Sequence, residues 1–344
     1  MHDSHYSAAS SADLDRSLED YLLLVLSDSN LPTGGFVASS GLESWLQHGY
    51  ASIAAPPTGT SAAEPDQPLP PPTRSKVVSA GPINAFVSRS LHSYARLNAP
   101  MVRQAHAAVS AVRSRAKEAS PSKPLEIETA FYSILTVDVL CETMTLNHVA
   151  RRASVAQGVA LLTLYDRAFA PPLGSEDAIR DEAIIRLVAR YRNAVKMAED
   201  GCNGHMSVAF GVLTAAIGVG IDAALHLFLF LHARSLLSSA VRMNSIGPYL
   251  AHRMLVNDTR QMITSALSET DPTPTRLEEV TASGEEEEDD SKAGDWWDDD
   301  PEWRATWTAS STEMRVHGTP TTTWPLGEVV ASRHDQLFSK VFNS

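Results

Sequence analysis

Residues 206–231 read MSVAFGVLTAAIGVGIDAALHLFLFL, and the disposition of this run decides the fold. It is almost continuously apolar and long enough to cross a bilayer. Asp222 and His226 fall inside it, however, and Gly218-Val219-Gly220 interrupts it. A central Asp costs roughly 2.5–3.5 kcal/mol on membrane-insertion scales. Two helices that meet at the glycines and bury themselves in a protein core fit the same composition without that cost. The expectation is therefore core helices over Met206–Ile217 and Asp222–His232, and no membrane span.

Working outward, apolar residues recur at helical intervals in both directions. Ile83, Phe86, Val87, Leu91, Tyr94 and Leu97 mark one helix, which Pro100 should end before a second begins at Val102. Further helices are expected from Glu126 to Val139, Met144 to Tyr165, Glu176 to Glu199 and Leu236 to Leu267, the last bent at Gly247-Pro248. Leu42, Trp45 and Leu46 share a face of a shorter one. No run alternates with the period of a strand. The expected fold class is all-α, a single helical bundle with disordered insertions.

The expected organisation is a disordered leader at 1–18, a helical domain at 19–267, an acidic disordered linker at 268–318 and a C-terminal tail at 319–344. Residues 51–80, with Pro68-Leu69-Pro70-Pro71-Pro72, form a Pro-rich insert too polar to offset its chain entropy. Eleven acids and one lysine lie between 285 and 302, so all but −3 of the formal charge of −13 belongs to that segment. A near-neutral body excludes a general nucleic-acid binder, which needs clustered positive charge. Trp296, Trp297, Trp303 and Trp307 accompany the acidic run; a spacer is the first reading, a partner-binding segment the second. Cys141 and Cys202 lack metal-site spacing and read as buried thiols. The N-terminus has no signal-peptide pattern, so the expected location is cytoplasmic.

Chemistry-bearing motifs are sparse. No His-Glu-x-x-His pair, Gly-x-Ser-x-Gly elbow or phosphate-binding loop occurs. Pro32-Thr33-Gly34-Gly35 reads as a turn. Asp222 and His226, four apart, could serve an enzyme of unknown helical type, but a hydrogen-bonded core contact is the commoner role for such a pair.

Four segments carry a resemblance. They are Leu24–Phe36 (LVLSDSNLPTGGF) followed by Ser39, Gly41, Leu42 and Glu43; Gly204–Gly211 (GHMSVAFG); Ser239–Pro248 (SAVRMNSIGP); and His334–Ser344 (HDQLFSKVFNS). Together and in this order they resemble the UreF family of urease accessory proteins, and the two inserts suggest a eukaryotic, fungal version. Ser207 stands where proline is expected. The resemblance implies an all-α, non-enzymatic protein without a cofactor. It implies a homodimer that binds UreD (also called UreH) and recruits the GTPase UreG. That assembly would deliver nickel to apo-urease and regulate GTP hydrolysis.

Seven residues follow as candidates for a partner interface: Arg242, Asn244, His205, His334, Leu337, Lys340 and Phe342. Each has a plainer alternative. Arg242 needs a partner wherever it is buried, Asn244 could shape the helix end, and His205 could cap the helix it precedes. Asp28 and Ser27 are capping or turn types, and Phe36 is expected in the core. The tail could pack on its own bundle, but the resemblance favours a role in UreD and UreG contacts.

Overall fold

The computed structural model describes residues 11–29, 31–32, 38–50, 80–117, 124–172, 174–270, 277–279, 314–316 and 320–343. The insert at 51–79, Thr33–Val37 and the four tryptophans of the acidic segment lie outside these. The chain divides into two units, one of residues 1–270 with 320–344, the other of 271–319.

The first unit is the helical bundle, all-α as expected. Its helices are α1 (Ser11–Leu26), α2 (Leu42–Gln47), α3 (Ala80–Lys117), α4 (Pro124–Met144), α5 (His148–Leu164), α6 (Glu176–Arg180), α7 (Glu182–Met197), α8 (Met206–Ala216), α9 (Ile221–Arg242), α10 (Pro248–Asn257), α11 (Thr259–Ser268) and α12 (Pro325–Ser332). A π-turn at Tyr165–Phe169 ends α5.

The opening stretch resolves as two buried helices. Every residue of α8 from Ser207 to Ala216 is buried, surrounded by α3, α4, α5, α7 and α9. At its end the Gly218 N–H reaches the Ala215 carbonyl and the Val219 N–H that of Thr214, with Gly218 at φ 88°. This left-handed cap requires a residue without a Cβ penalty. Helix α9 has the length and hydropathy of a membrane span. Its apolar faces are nonetheless taken by α2, α3, α8, α10 and α11, and Asp222 and His226 are exposed on its outer side. The pair is thus not the core contact expected of it.

Three further expectations are corrected. Pro100 does not divide α3, which runs 38 residues through it. Proline inside a helix costs about 3 kcal/mol. Leu97, Ala99, Met101 and Val102, all buried beside it, supply the compensating burial. The leader is shorter than 1–18, because α1 begins at Ser11. Leu18 and Leu22 lie four apart in this helix, the spacing of one helical face. Within the second unit, β1 (Leu277–Glu279) pairs antiparallel with β2 (Met314–Val316). This ribbon falls inside the linker expected to be structureless, and its register sets Glu278 opposite Arg315.

The break between α9 and α10 is sharper than the bend expected. Asn244 adopts φ 54°, its N–H reaching the Val241 carbonyl while that of Ser245 reaches Ala240. Asn is the non-glycine residue best able to close a helix in this way. Pro248 then opens α10 at its first turn, where its missing N–H costs nothing.

Candidate functional site

Helices α3, α5, α9 and α12 enclose a cavity of about 620 Å³, within the range of ligand pockets. Its wall includes Tyr94, Asn98, Ser154, His232, Arg242 and Glu328. Three of the four family-resembling segments also reach it, through Asp28 and Gly41, Met206, and Arg242.

The aromatic wall is ordered by stacking. His232 lies 3.9 Å from Tyr94, nearly parallel, and Tyr94 lies 5.1 Å from Phe228 on α9. The Ser90 hydroxyl is 2.9 Å from His232 Nε2. Burial pushes the His232 pKa down to about 4, because the charged form would lose its hydration. The imidazole is neutral at pH 7 and serves as a hydrogen-bonded wall. A serine nucleophile would need this base oriented by a third group, and among the described residues no carboxylate bonds its Nδ1.

The C-terminal segment roofs the cavity. Trp324 packs edge-on against Phe86, 5.0 Å away, and Phe86 against Trp45. Ser93 accepts the Thr323 N–H, and Asn147 donates to the Glu328 carbonyl. Helix α12 then crosses Gly41, where a Cβ would come within 2.8 Å of the Ala331 methyl. With φ 84° as well, only glycine suits that position.

Beyond α12 the segment closes on one buried carboxylate. Glu43 accepts from His334 Nε2 at 3.0 Å, from the Val341 N–H at 2.6 Å and from the Phe342 N–H at 3.1 Å. Glu43 and His334 are both fully buried, so the bonds replace lost water. Phe342 is buried beneath the Arg242 guanidinium, 4.6 Å from its ring centre, a cation–π arrangement. On the exposed side Asp335 bridges to Arg152 and His148 of α5. The Arg152 hydrogen bonds lead in holding its carboxyl down to about 2.

A second polar junction holds the start of α8. Asp138 of α4 is fully buried. Its carboxylate accepts the N–H groups of Asn203 at 2.6 Å, Gly204 at 3.0 Å and His205 at 2.8 Å, and the Tyr191 hydroxyl at 3.1 Å. It satisfies three successive donors of the loop that leads into the helix, while the Met206 N–H at the helix start goes to the Ser154 hydroxyl. His205 is itself buried between Glu142 at 2.8 Å and Ser154 at 3.2 Å.

The seven candidate interface residues therefore have different placements. His205, His334 and Phe342 are buried within the chain, and Leu337 is half-buried. Arg242, Asn244 and Lys340 are exposed. Arg242 lines the cavity and covers Phe342, His334 pairs with Glu43 and Lys340 with Asp335, whereas His205 belongs to the Asp138 junction. Glu43 and Asp138 went unrecognised as organising groups. The signal for Asp138 was a lone acid among Ile134, Leu135, Val137, Val139 and Leu140, a placement that demands partners. Both cysteines are free and buried, and burial pushes the Cys141 thiol up to about 11. Among the described residues no cluster of three or more metal-ligating side chains occurs.

The comparisons with known proteins agree with one another. The profile of the UreF family matches residues 77–257, which contain the cavity walls of α3, α5 and α9. Urease accessory protein 6 of Cryptococcus neoformans var. grubii is 36% identical over 95% of this chain and 97% of its own length. The UreF-like urease accessory protein of Schizosaccharomyces pombe is 26% identical over 72% of this chain and 85% of its own. Urease accessory protein F of rice is 24% identical over 69% of each. On the family match, and on similarity along nearly the whole chain to a fungal relative, this chain belongs to the UreF family of urease accessory proteins.

Proposed function

We propose that the chain is a non-enzymatic scaffold that binds a UreD/UreH homologue and recruits the GTPase UreG for nickel insertion into apo-urease. The same reading makes it a cytoplasmic homodimer within that complex, and includes an influence on GTP hydrolysis by UreG. Nickel is cargo here, and GTP belongs to the partner.

The observation that carries the reading, beside family membership, is the outer face of the C-terminal segment. Phe338 is fully exposed, Val341 more than half and Leu326 nearly half, while Val329 and Leu146, the latter at 82% exposure, stand where the cavity lining meets the surface. Large apolar side chains gathered on one exposed segment suit a protein partner. Arg242, Asn244 and Lys340 add polar contacts near that face, as an interface rim requires. Nothing comparable favours catalysis: Asp222 and His226 are exposed on α9 and do not line the cavity.

The test is co-purification with the UreD and UreG homologues of the source organism, together with urease activity in a deletion strain. Loss of urease activity and recovery of the complex are expected. Phe338→Asp should weaken capture of the partners by at least tenfold while leaving the thermal midpoint unchanged. Normal urease activity in the deletion strain would reject the proposal.

A further inference from the structure

The scaffold role makes no use of the interior of the cavity, about 620 Å³ in volume. The charged groups of its wall balance, Asp28 and Glu328 against Arg234 and Arg242. Both cations are already committed: Arg234 donates to the backbone carbonyls of Ser27 and Asp28, and Arg242 covers the Phe342 ring. His232 is kept neutral by its burial. A ligand with net charge would therefore lose its hydration here without gaining a counter-charge. Two polar atoms of the α3 wall lack partners. The Tyr94 hydroxyl makes no hydrogen bond among the described residues, and burial pushes its pKa up. Asn98, 7% exposed, spends its amide N–H on the Tyr94 carbonyl, and its Oδ1 meets no donor among the described residues. A buried phenol ordinarily finds a partner, and a buried polar group without one calls for a bound molecule to supply it. Around these atoms Tyr94, Phe228, His232 and Trp324 give aromatic surface, with the Tyr94 and His232 rings already parallel. Such surface favours another ring.

We propose that the cavity is a binding site for a neutral, planar aromatic molecule that carries an amide or hydroxyl group. The ring lies against the aromatic wall. The polar group exchanges hydrogen bonds with Tyr94 and Asn98, which stand one helical turn apart on the same face of α3. The volume suits one or two fused rings with a substituent, since pockets of about 300–1,000 Å³ hold small organic ligands. The lining reaches the surface at Leu146 and Val329, which gives the route of entry. The inference goes beyond the scaffold role, and its test needs none of the partners.

Three probes of one shape and different charge test it on the full-length chain: 2-naphthamide, 2-naphthoate and 2-naphthamidine, titrated by saturation-transfer NMR. The neutral amide should bind at least tenfold more tightly than either charged probe. Tyr94→Phe removes the hydroxyl and keeps the ring, and should weaken the amide about tenfold. Ala153→Trp fills the cavity from α5 and should abolish amide binding. Circular dichroism and the thermal midpoint establish that each variant is folded. Failure of 2-naphthamide to bind, equal affinity for the three probes, or undiminished amide affinity in the folded variants would overturn the proposal. Should Ala153→Trp fail to fold, Tyr94→Phe decides alone.

Discussion

Replacing Asp138 by Asn tests whether a single buried carboxylate holds the entry to α8. Its Oδ1 serves the Tyr191 hydroxyl and the His205 N–H, and its Oδ2 the N–H groups of Asn203 and Gly204. An amide of the same shape retains one acceptor oxygen, so one pair of donors loses its acceptor whichever way the side chain is turned. Each buried donor left unsatisfied costs about 1–3 kcal/mol. Asp138→Asn should therefore destabilise the chain by about 2–6 kcal/mol, a large fraction of the 5–15 kcal/mol typical of a domain. Tyr191→Phe removes one donor together with its need, and should cost only about 1 kcal/mol. Urea unfolding followed by circular dichroism measures both, with the slope checked for a common unfolded state. A loss below about 1 kcal/mol for Asp138→Asn, or equal losses for the two variants, would refute the claim that unsatisfied donors set the magnitude.

Two other outcomes follow from the packing and the buried histidine. Gly211→Ala would place a methyl 2.5 Å from the Val102 carbonyl oxygen of α3, and overpacking of about 1–3 kcal/mol should exceed the gain of about 1 kcal/mol in helix propensity. A higher thermal midpoint for this variant would contradict the close α3–α8 approach. The His232 pKa is lowered to about 4 in the folded chain from about 6.5 unfolded, so the unfolded state binds the extra proton first. Its contribution is unchanged above pH 6.5 and falls progressively between about 6.5 and 4, by roughly 3 kcal/mol in all. His232→Gln should flatten that part of the stability–pH curve, and an unchanged slope would show that the imidazole titrates normally.

Much of the bundle was legible because burial demands periodicity. Gly218 announced the α8–α9 junction, since a left-handed helix cap selects glycine in the sequence itself. Pro100 misled because local propensity counted against a helix that tertiary burial sustains. Leu18 carried the extension of α1 in plain view, but the surrounding Ser and Asp residues masked its spacing from Leu22. The family was legible for a different reason, namely that four ordered segments are kept together by contacts that no one of them reveals.

What the sequence determined alone was the fold class, the helix faces and the family, each written in the order and period of neighbouring residues. What only the tertiary structure decided was the pairing of Glu43 with His334, 291 residues apart, and of Asp138 with the start of α8. A buried carboxylate needs donors, but its own neighbourhood in sequence does not say which distant backbone will bring them. The same holds for the roof of the cavity: whether Phe342 faces a partner or Arg242 depends on where the bundle places α2 and α9, and helical period carries no information about that.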